Sequence, residues 1–423
     1  DLDASVPQLQ WVVNAYLLTL ASLILVAGAL GDRFGRRRIF LVGVIWFGLA
    51  SLLCALARNP EQLIVARLVQ GVGGALLTPG SLSIIQGSFA PTERGVMIGQ
   101  WAGLGGIAAA IGPPLGGWVV DVATWRWIFW FNVPVAILIV VIGLRHVPES
   151  RDPAATRGHD ITGSVLAVLG LGGVTFALIE NESAAAVPLG ILGLAALAAF
   201  VVVEHRTAHP VMPLHLFGSR VFSVANAMTL LVYGALAAVS FFLVLQLQVI
   251  LGYTPLQAGL ATLPMTVVLL ALSPRSGALS DRIGPRLQMS AGPLLAAAGT
   301  LLLVGIDPDS GYLTGVLPGL FLFSLGLVAL VAPLTTSVMA AAPDRFAGVA
   351  SGINNAVART GSLLAVAALP AVVGLGGADY QRPEVFGPGY VEAMVACTML
   401  LAAGGVTSFF GLAGARSAST RGG

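Results

Sequence analysis

The chain has 423 residues, of which 57% are hydrophobic and only 9% charged, with a mean hydropathy of +0.91. An average soluble domain carries about 25% charged residues, so a water-solvated surface is excluded for most of this chain and lipid is its natural solvent. All 21 basic residues are Arg; without a Lys no Walker-type phosphate loop can form, and a net charge of +2 gives no footing for nucleic acid.

A helix that spans a bilayer needs about 20 mostly apolar residues. In chain order the segments that qualify are 11–30, 39–57, 63–89, 96–119, 127–144, 161–178, 186–203, 222–245, 257–279, 287–306, 314–338, 348–373 and 390–412. The alternation of a membrane β-barrel is absent. These thirteen segments predict an all-α polytopic membrane protein. Cys54 and Cys397 lie inside apolar stretches and read as small buried hydrophobes. The chain opens on Asp1-Leu2-Asp3, with no basic n-region of a signal peptide.

The first gap holds Gly28-Ala29-Leu30-Gly31-Asp32-Arg33-Phe34-Gly35-Arg36-Arg37. Gly35 suits a tight reversal, Asp32 can cap a helix or pair with an Arg, and the Arg run suits anionic headgroups. One such copy also reads as a plain basic turn.

The third span begins with Arg67-Leu68-Val69-Gln70-Gly71. Positions 67, 70, 71, 74, 78 and 81 share a polar, small face at helical spacing. Arg67 either faces a cavity or partner, as intramembrane charges do, or snorkels to the nearby surface.

The fourth span carries Gly105-Gly106-Ile107-Ala108-Ala109-Ala110-Ile111-Gly112-Pro113-Pro114-Leu115-Gly116-Gly117. Its prolines remove backbone donors, and its small residues allow close helix packing. Trp125-Arg126-Trp127-Ile128-Phe129-Trp130-Phe131-Asn132-Val133-Pro134 then leads into the next span, with Trp at the expected interface.

In the second half the first motif returns 249 residues downstream as Gly277-Ala278-Leu279-Ser280-Asp281-Arg282-Ile283-Gly284-Pro285-Arg286. Pro79/Pro333, Pro91/Pro343, Gly95/Gly348 and Gly99/Gly352 continue the match at offsets of 252 to 254. The chain is therefore built from two related halves of the same orientation. The Pro-Pro stretch of the first half has no counterpart in Leu363-Leu364-Ala365-Val366-Ala367-Ala368. In span 348–373, Asn355, Arg359 and Ser362 share a face. Arg359 sits near mid-bilayer, where a charge either serves function or pairs with a helix-end carbonyl.

Numbering the gaps alternately puts fifteen Arg on one side and three, Arg58, Arg126 and Arg382, on the other, with Arg67, Arg275 and Arg359 inside spans. The positive-inside rule makes the fifteen-Arg side cytoplasmic, so residues 1–10 are expected outside and the C-terminus inside. The five His (146, 159, 205, 209 and 215) fall in cytoplasmic gaps, and Pro210 and Pro213 break any common helix face for a metal. Neither metal nor cofactor is expected.

The motif at 28–37 with its second copy resembles the signature of the major facilitator superfamily that joins the second and third helices. The resemblance implies a conformational lock at Gly28, Asp32, Arg33, Gly35, Arg36 and Arg37, weakened at Asp281 and Arg282 because Pro285 stands where the first copy has Arg36. It implies a proton-coupling role for Arg67 in its Arg-x-x-Gln-Gly pattern with Gln70 and Gly71. Gly106, Gly112, Pro113, Gly116 and Gly117 are similar to the antiporter signature of its drug exporters. The Trp125–Pro134 string resembles the fourteen-helix drug/proton branch.

On this resemblance the expected architecture is two six-helix bundles plus two inserted central helices. The boundaries are 1–144, 145–221 for linkers and inserted helices, 222–412, and a tail at 413–423. The repeat also implies that a first helix precedes residue 1, and that helix would hold the coupling acid. The expected function is export of amphipathic or lipophilic small molecules in exchange for protons, by a monomer in the plasma membrane. Asn14, Gln100, Trp101, Asn226, Tyr233, Asn354 and Asn355 are candidate cavity residues, with Arg359 a further coupling candidate. A dedicated exporter of a natural product or lipid is the alternative in the same class. A membrane-embedded lipid-modifying enzyme is disfavoured by scattered His and the lack of a carboxylate pair inside a span.

Overall fold

The computed structural model describes residues 2, 4, 6–89, 91–151, 160–207, 210–342, 346–376, 379–380 and 382–413 as one helical chain. His159 and His209 lie outside the described residues, as do the side chains of Gly106's neighbourhood and of Asp281. No strand occurs among the described residues.

The helices are α1 (Val6–Phe34), α2 (Arg36–Leu56), α3 (Pro60–Ser88), α4 (Pro91–Val122), α5 (Arg126–Trp130), α6 (Asn132–His146), α7 (Ile161–Ile179), α8 (Ala186–Arg206), α9 (Arg220–Val249), α10 (Pro255–Ile283), α11 (Pro285–Leu303), α12 (Leu317–Ala340), α13 (Ala347–Val372) and α14 (Pro383–Gly411). Every expected span coincides with a helical segment. Among the described residues, eleven segments are long and apolar enough to cross a bilayer. The span expected at 127–144 is made of α5 and α6, which run on as one segment, Arg126–His146: Phe131 between them keeps helical φ/ψ and donates to the Trp127 carbonyl at 3.0 Å. A π-helical turn, Tyr312–Val316, leads into α12.

The ends of these helices follow from local chemistry. Asn59 caps α3 by accepting from Gln62 N–H, Asp160 caps α7 through Gly163 N–H, and Thr254 with Gln257 forms a reciprocal capping box on α10. Large apolar side chains stay on the outside, as at Leu49, Leu53, Leu192 and Leu194, and α6 and α8 bury few of theirs. In water such a surface would be untenable; against lipid tails it is the required one.

The chain divides into two compact units. One comprises Asp1–Gly105, Gly116–Pro213 and Leu363–Arg382; the other comprises Gly106–Leu115, Leu214–Ser362 and Pro383–Gly423. In the first, α1 and α2 pack on α3, and α7 packs on α8 and α1. Close approach rests on small residues. A methyl group at Gly73 would meet the Phe47 backbone nitrogen at 2.7 Å, and one at Gly193 would meet Val174 N at 2.7 Å. In the second, α11 packs on α12 and α14, and α14 on α9; a methyl at Gly292 would meet the Gly326 carbonyl at 2.8 Å. Its core is built from Phe222, Phe242, Phe323, Phe386 and Tyr390, all fully buried.

Candidate functional site

In the first unit the 28–37 motif forms a hinge between α1 and α2. Gly35 has φ 113°, a left-handed conformation that suits Gly. Arg36 Nε donates to Asp32 Oδ1 at 2.8 Å, one helical turn away. The orphan N–H groups that open α2 are met by a distant carboxylate. Arg37 N–H donates to Glu149 Oε1 (3.1 Å), Arg38 N–H to Glu149 Oε2 (3.2 Å), and Arg36 N–H to the Ser150 carbonyl (2.9 Å). The Arg37 side chain donates to the Val147 carbonyl at 2.9 Å and lies 3.9 Å from Glu149. A methyl at Gly35 would run into Glu149 at 2.7 Å, so the glycine also makes room for its cap. Sequence reading missed Glu149 because it lies 112 residues from Arg37. Its only sequence signal is an acid just past the end of α6.

The second copy is built differently. Gly284 again turns with φ 81°, but nothing lies within 4 Å of a methyl placed there. Pro285 opens α11 and has no N–H to be capped. Arg286 instead donates twice to the Phe409 carbonyl, at 3.1 and 2.9 Å, and lies over the Phe409 ring at 4.9 Å. Arg220 donates to the Phe410 carbonyl at 2.9 Å. Two Arg thus satisfy the last carbonyls of α14.

Arg67 is part-buried within the first unit and points inward. Its Nε donates to the Val12 carbonyl (2.9 Å) and its Nη1 to Gln70 Oε1 (2.5 Å). Its guanidinium lies 4.4 Å from the Tyr16 ring centre and 5.9 Å from that of Phe129. Gln70, 1% exposed, donates to Ser51 Oγ at 2.7 Å; Ser51 also accepts from Asn132 at 3.3 Å and donates to the Phe47 carbonyl at 2.8 Å. One polar chain therefore joins α1, α2, α3 and α6. Among the described residues no carboxylate pairs with Arg67. Gly71 lies against α1, where a methyl would collide with Thr19 Oγ1 and meet the Tyr16 carbonyl at 2.5 Å. Arg126 donates to the Ala57 carbonyl at 2.9 Å and so caps the end of α2.

The fourth-span motif departs from the expected packing seam. Helix α4 continues through Pro113 and Pro114, and nothing lies within 4 Å of a methyl at Gly105, Gly112 or Gly116. Close approach occurs from the other side: a methyl on Gly259 of α10 would meet the Pro113 carbonyl at 2.5 Å. Among the described residues, Gly105, Gly112 and Gly116 therefore meet no neighbour. Gly106 and Gly117 belong to the same helix.

In the second unit a cavity of about 120 Å³ is lined by Tyr233 of α9, Thr335 and Met339 of α12, and Ser351, Asn354, Asn355 and Arg359 of α13. Four residues singled out by sequence meet here: Tyr233, Asn354, Asn355 and Arg359. Arg359 makes no hydrogen bond or ion pair among the described residues. Ser362 turns away from the cavity and donates to the Tyr233 and Ala358 carbonyls at 3.2 and 3.0 Å. Asn226 is not a lining residue: it is 3% exposed and accepts at 3.1 Å from Asn354, which also donates to Thr229 at 2.7 Å. It braces α9 against α13. Asn14, on α1, is fully buried, and neither amide atom has a partner among the described residues. Gln100 and Trp101 are exposed on α4.

A buried acid pair also escaped sequence reading. Asp160 (7% exposed) starts α7 and Glu204 (2%) ends α8. A methyl at Gly163 would meet Asp160 Oδ2 at 2.5 Å and Glu204 Oε1 at 2.9 Å, and among the described residues no donor reaches either oxygen. The second Glu204 oxygen accepts from Met212 N–H at 2.9 Å, which ties α8 to the segment after it. The two acids are 44 positions apart and each reads singly as a helix-end residue.

Comparison with known proteins agrees with this architecture. The chain aligns over residues 1–366 with the profile of the Major Facilitator Superfamily. It is 34% identical over 379 residues to the tetracenomycin C resistance and export protein of Streptomyces glaucescens, covering 87% of this chain and 69% of that one. It is 36% identical over 380 residues to a puromycin resistance protein of Streptomyces alboniger (88% and 75%). The cephamycin export protein of Amycolatopsis lactamdurans is 36% identical over 410 residues (93% and 84%). Among solved structures, an auto-inhibited peptide transporter of the POT family superposes with a TM-score of 0.71 at 15% identity, covering 99% of this chain and 90% of that one, a likeness of fold. The chain is thus a multi-pass membrane transporter rather than an enzyme, and it belongs to the Major Facilitator Superfamily.

Proposed function

We propose that this transporter exports amphipathic or lipophilic small molecules, drugs and antibiotics among them, from the cytoplasm across the plasma membrane in exchange for protons. The observation that carries the reading is the polar cavity around Arg359 inside the spans, in a chain whose relatives are named for antibiotic resistance and export. The cavity joins an apolar wall of Val338 and Met339 to polar groups, which suits an amphipathic cargo.

In this reading the protein alternates between inward- and outward-open states. The Asp32–Arg36 pair and the Glu149 clasp hold the cytoplasmic turn in one of them. Arg67, with Gln70 behind it, couples proton movement to that change. Open glycines along α4 leave that helix free to move. A dedicated exporter of one natural product is the second reading; relatives named for single compounds, such as tetracenomycin C and cephamycin, favour it.

The test is uptake of a panel of lipophilic dyes into inverted membrane vesicles energised by a proton gradient. Accumulation abolished by an uncoupler is the expected result. No uncoupler-sensitive uptake of any dye overturns the proton-coupled export of a broad range of compounds.

A further inference from the structure

We propose that the Arg359 cavity is a subsite for a carboxylate carried by the transported molecule; the proposal rests on the export reading above. Arg359 is the thirteenth of the 26 residues of α13, so it lies at the helix midpoint. At 1.5 Å per residue that is roughly 18 Å from either end, too far for its side chain to reach an interface. A cation held there is costly unless an anion accompanies it. The described residues supply none.

A count of hydrogen-bonding capacity points the same way. The guanidinium offers five N–H donors, all without a partner among the described residues. The Tyr233 and Ser351 hydroxyls line the same cavity and donate to nothing else described. Asn355 uses one N–H on the Ser351 carbonyl at 3.2 Å and keeps the other. Asn354 is occupied: both of its N–H groups go to Asn226 and Thr229, which fixes α13 against α9 and so sets the position of Arg359 one turn further on. The cavity therefore presents a surplus of donors around one positive charge, from two helices, α9 and α13. That is the complement of a planar, acceptor-only anion, and an Arg recognises a carboxylate through paired N–H groups. The adjoining Val338 and Met339 would take the apolar body to which the carboxylate is attached.

A basic, donor-rich site favours a dye that carries a carboxylate over a purely cationic one. The probes are rhodamine B, which has a free carboxylate, and its ethyl ester, which has the same ring system without it. Binding to the purified full-length chain is read by fluorescence anisotropy in phosphatidylcholine vesicles. Rhodamine B is expected to bind about tenfold more tightly than the ester, in keeping with a charge-assisted contact. Arg359→Gln is expected to erase that preference by weakening rhodamine B alone, and Arg359→Lys to keep part of it. Melting curves of both variants establish that they are folded.

Equal affinity for the two dyes, equal weakening of both by Arg359→Gln, or binding of neither overturns the proposal. A preference that disappears when phosphatidylglycerol is added assigns the anion to a lipid headgroup and overturns it too. Uncoupler-sensitive uptake of the ester with no preference for rhodamine B refutes the carboxylate subsite while leaving export intact. Absence of uptake for every dye refutes the broad export on which the proposal rests.

Discussion

Arg67 illustrates how a single side chain can be placed by its neighbours rather than by its depth. Its guanidinium donates in two directions, to Val12 and Gln70, while its face rests on Tyr16. A Lys has one point charge and no planar face, so it cannot reproduce both contacts. Arg67→Lys is expected to lower export at least about tenfold with little loss of membrane expression; activity above half of the wild-type rate in vesicles would contradict this. Gly71 sits where α1 and α3 cross most closely. Gly71→Ala forces the Tyr16 backbone and Thr19 away, and overpacking of this kind costs about 1–3 kcal/mol. The expected outcome is a lowered melting temperature in detergent, and an unchanged one would show that the crossing can relax.

At the scale of helices, ends matter more than middles. The start of α2 is capped from another part of the chain by Glu149, and the cap adds a negative charge where the helix dipole is positive. Glu149→Ala removes both contacts and is expected to destabilise the turn by about 1–2 kcal/mol. Faster proteolysis or faster amide exchange confined to residues 33–38 is the measurement; uniform protection would refute it. The junction of α7 and α8 is the reverse case, with two buried acids and, among the described residues, no donor between them. Two such carboxylates cannot both ionise without cost. Glu204→Gln supplies an N–H for Asp160 and keeps an oxygen for Met212 N–H. It is therefore expected to melt at or above the wild-type temperature at neutral pH, and a drop of several degrees would count against the pairing.

For the whole molecule, charge sorting makes a prediction about sidedness. With Cys54 and Cys397, both buried and unpaired, replaced by Ala, a single Cys introduced at exposed Arg151 is expected to react with an impermeant maleimide only from the cytoplasmic face, and one at exposed Glu182 only from outside. Labelling of both from the same side would overturn the orientation. The sequence by itself determined the lipid solvent, the placement of the helical segments, the two-fold repeat and four of the residues that meet at the Arg359 cavity. Those features follow from composition and helical period, which are local. It could not supply Glu149 beneath Gly35, the Asp160–Glu204 pair, or the difference between a bracing Asn226 and a lining Asn355. Only the tertiary structure decided these, because each depends on which side chains from distant segments arrive at the same point, and a helical face fixes a direction without naming what it meets.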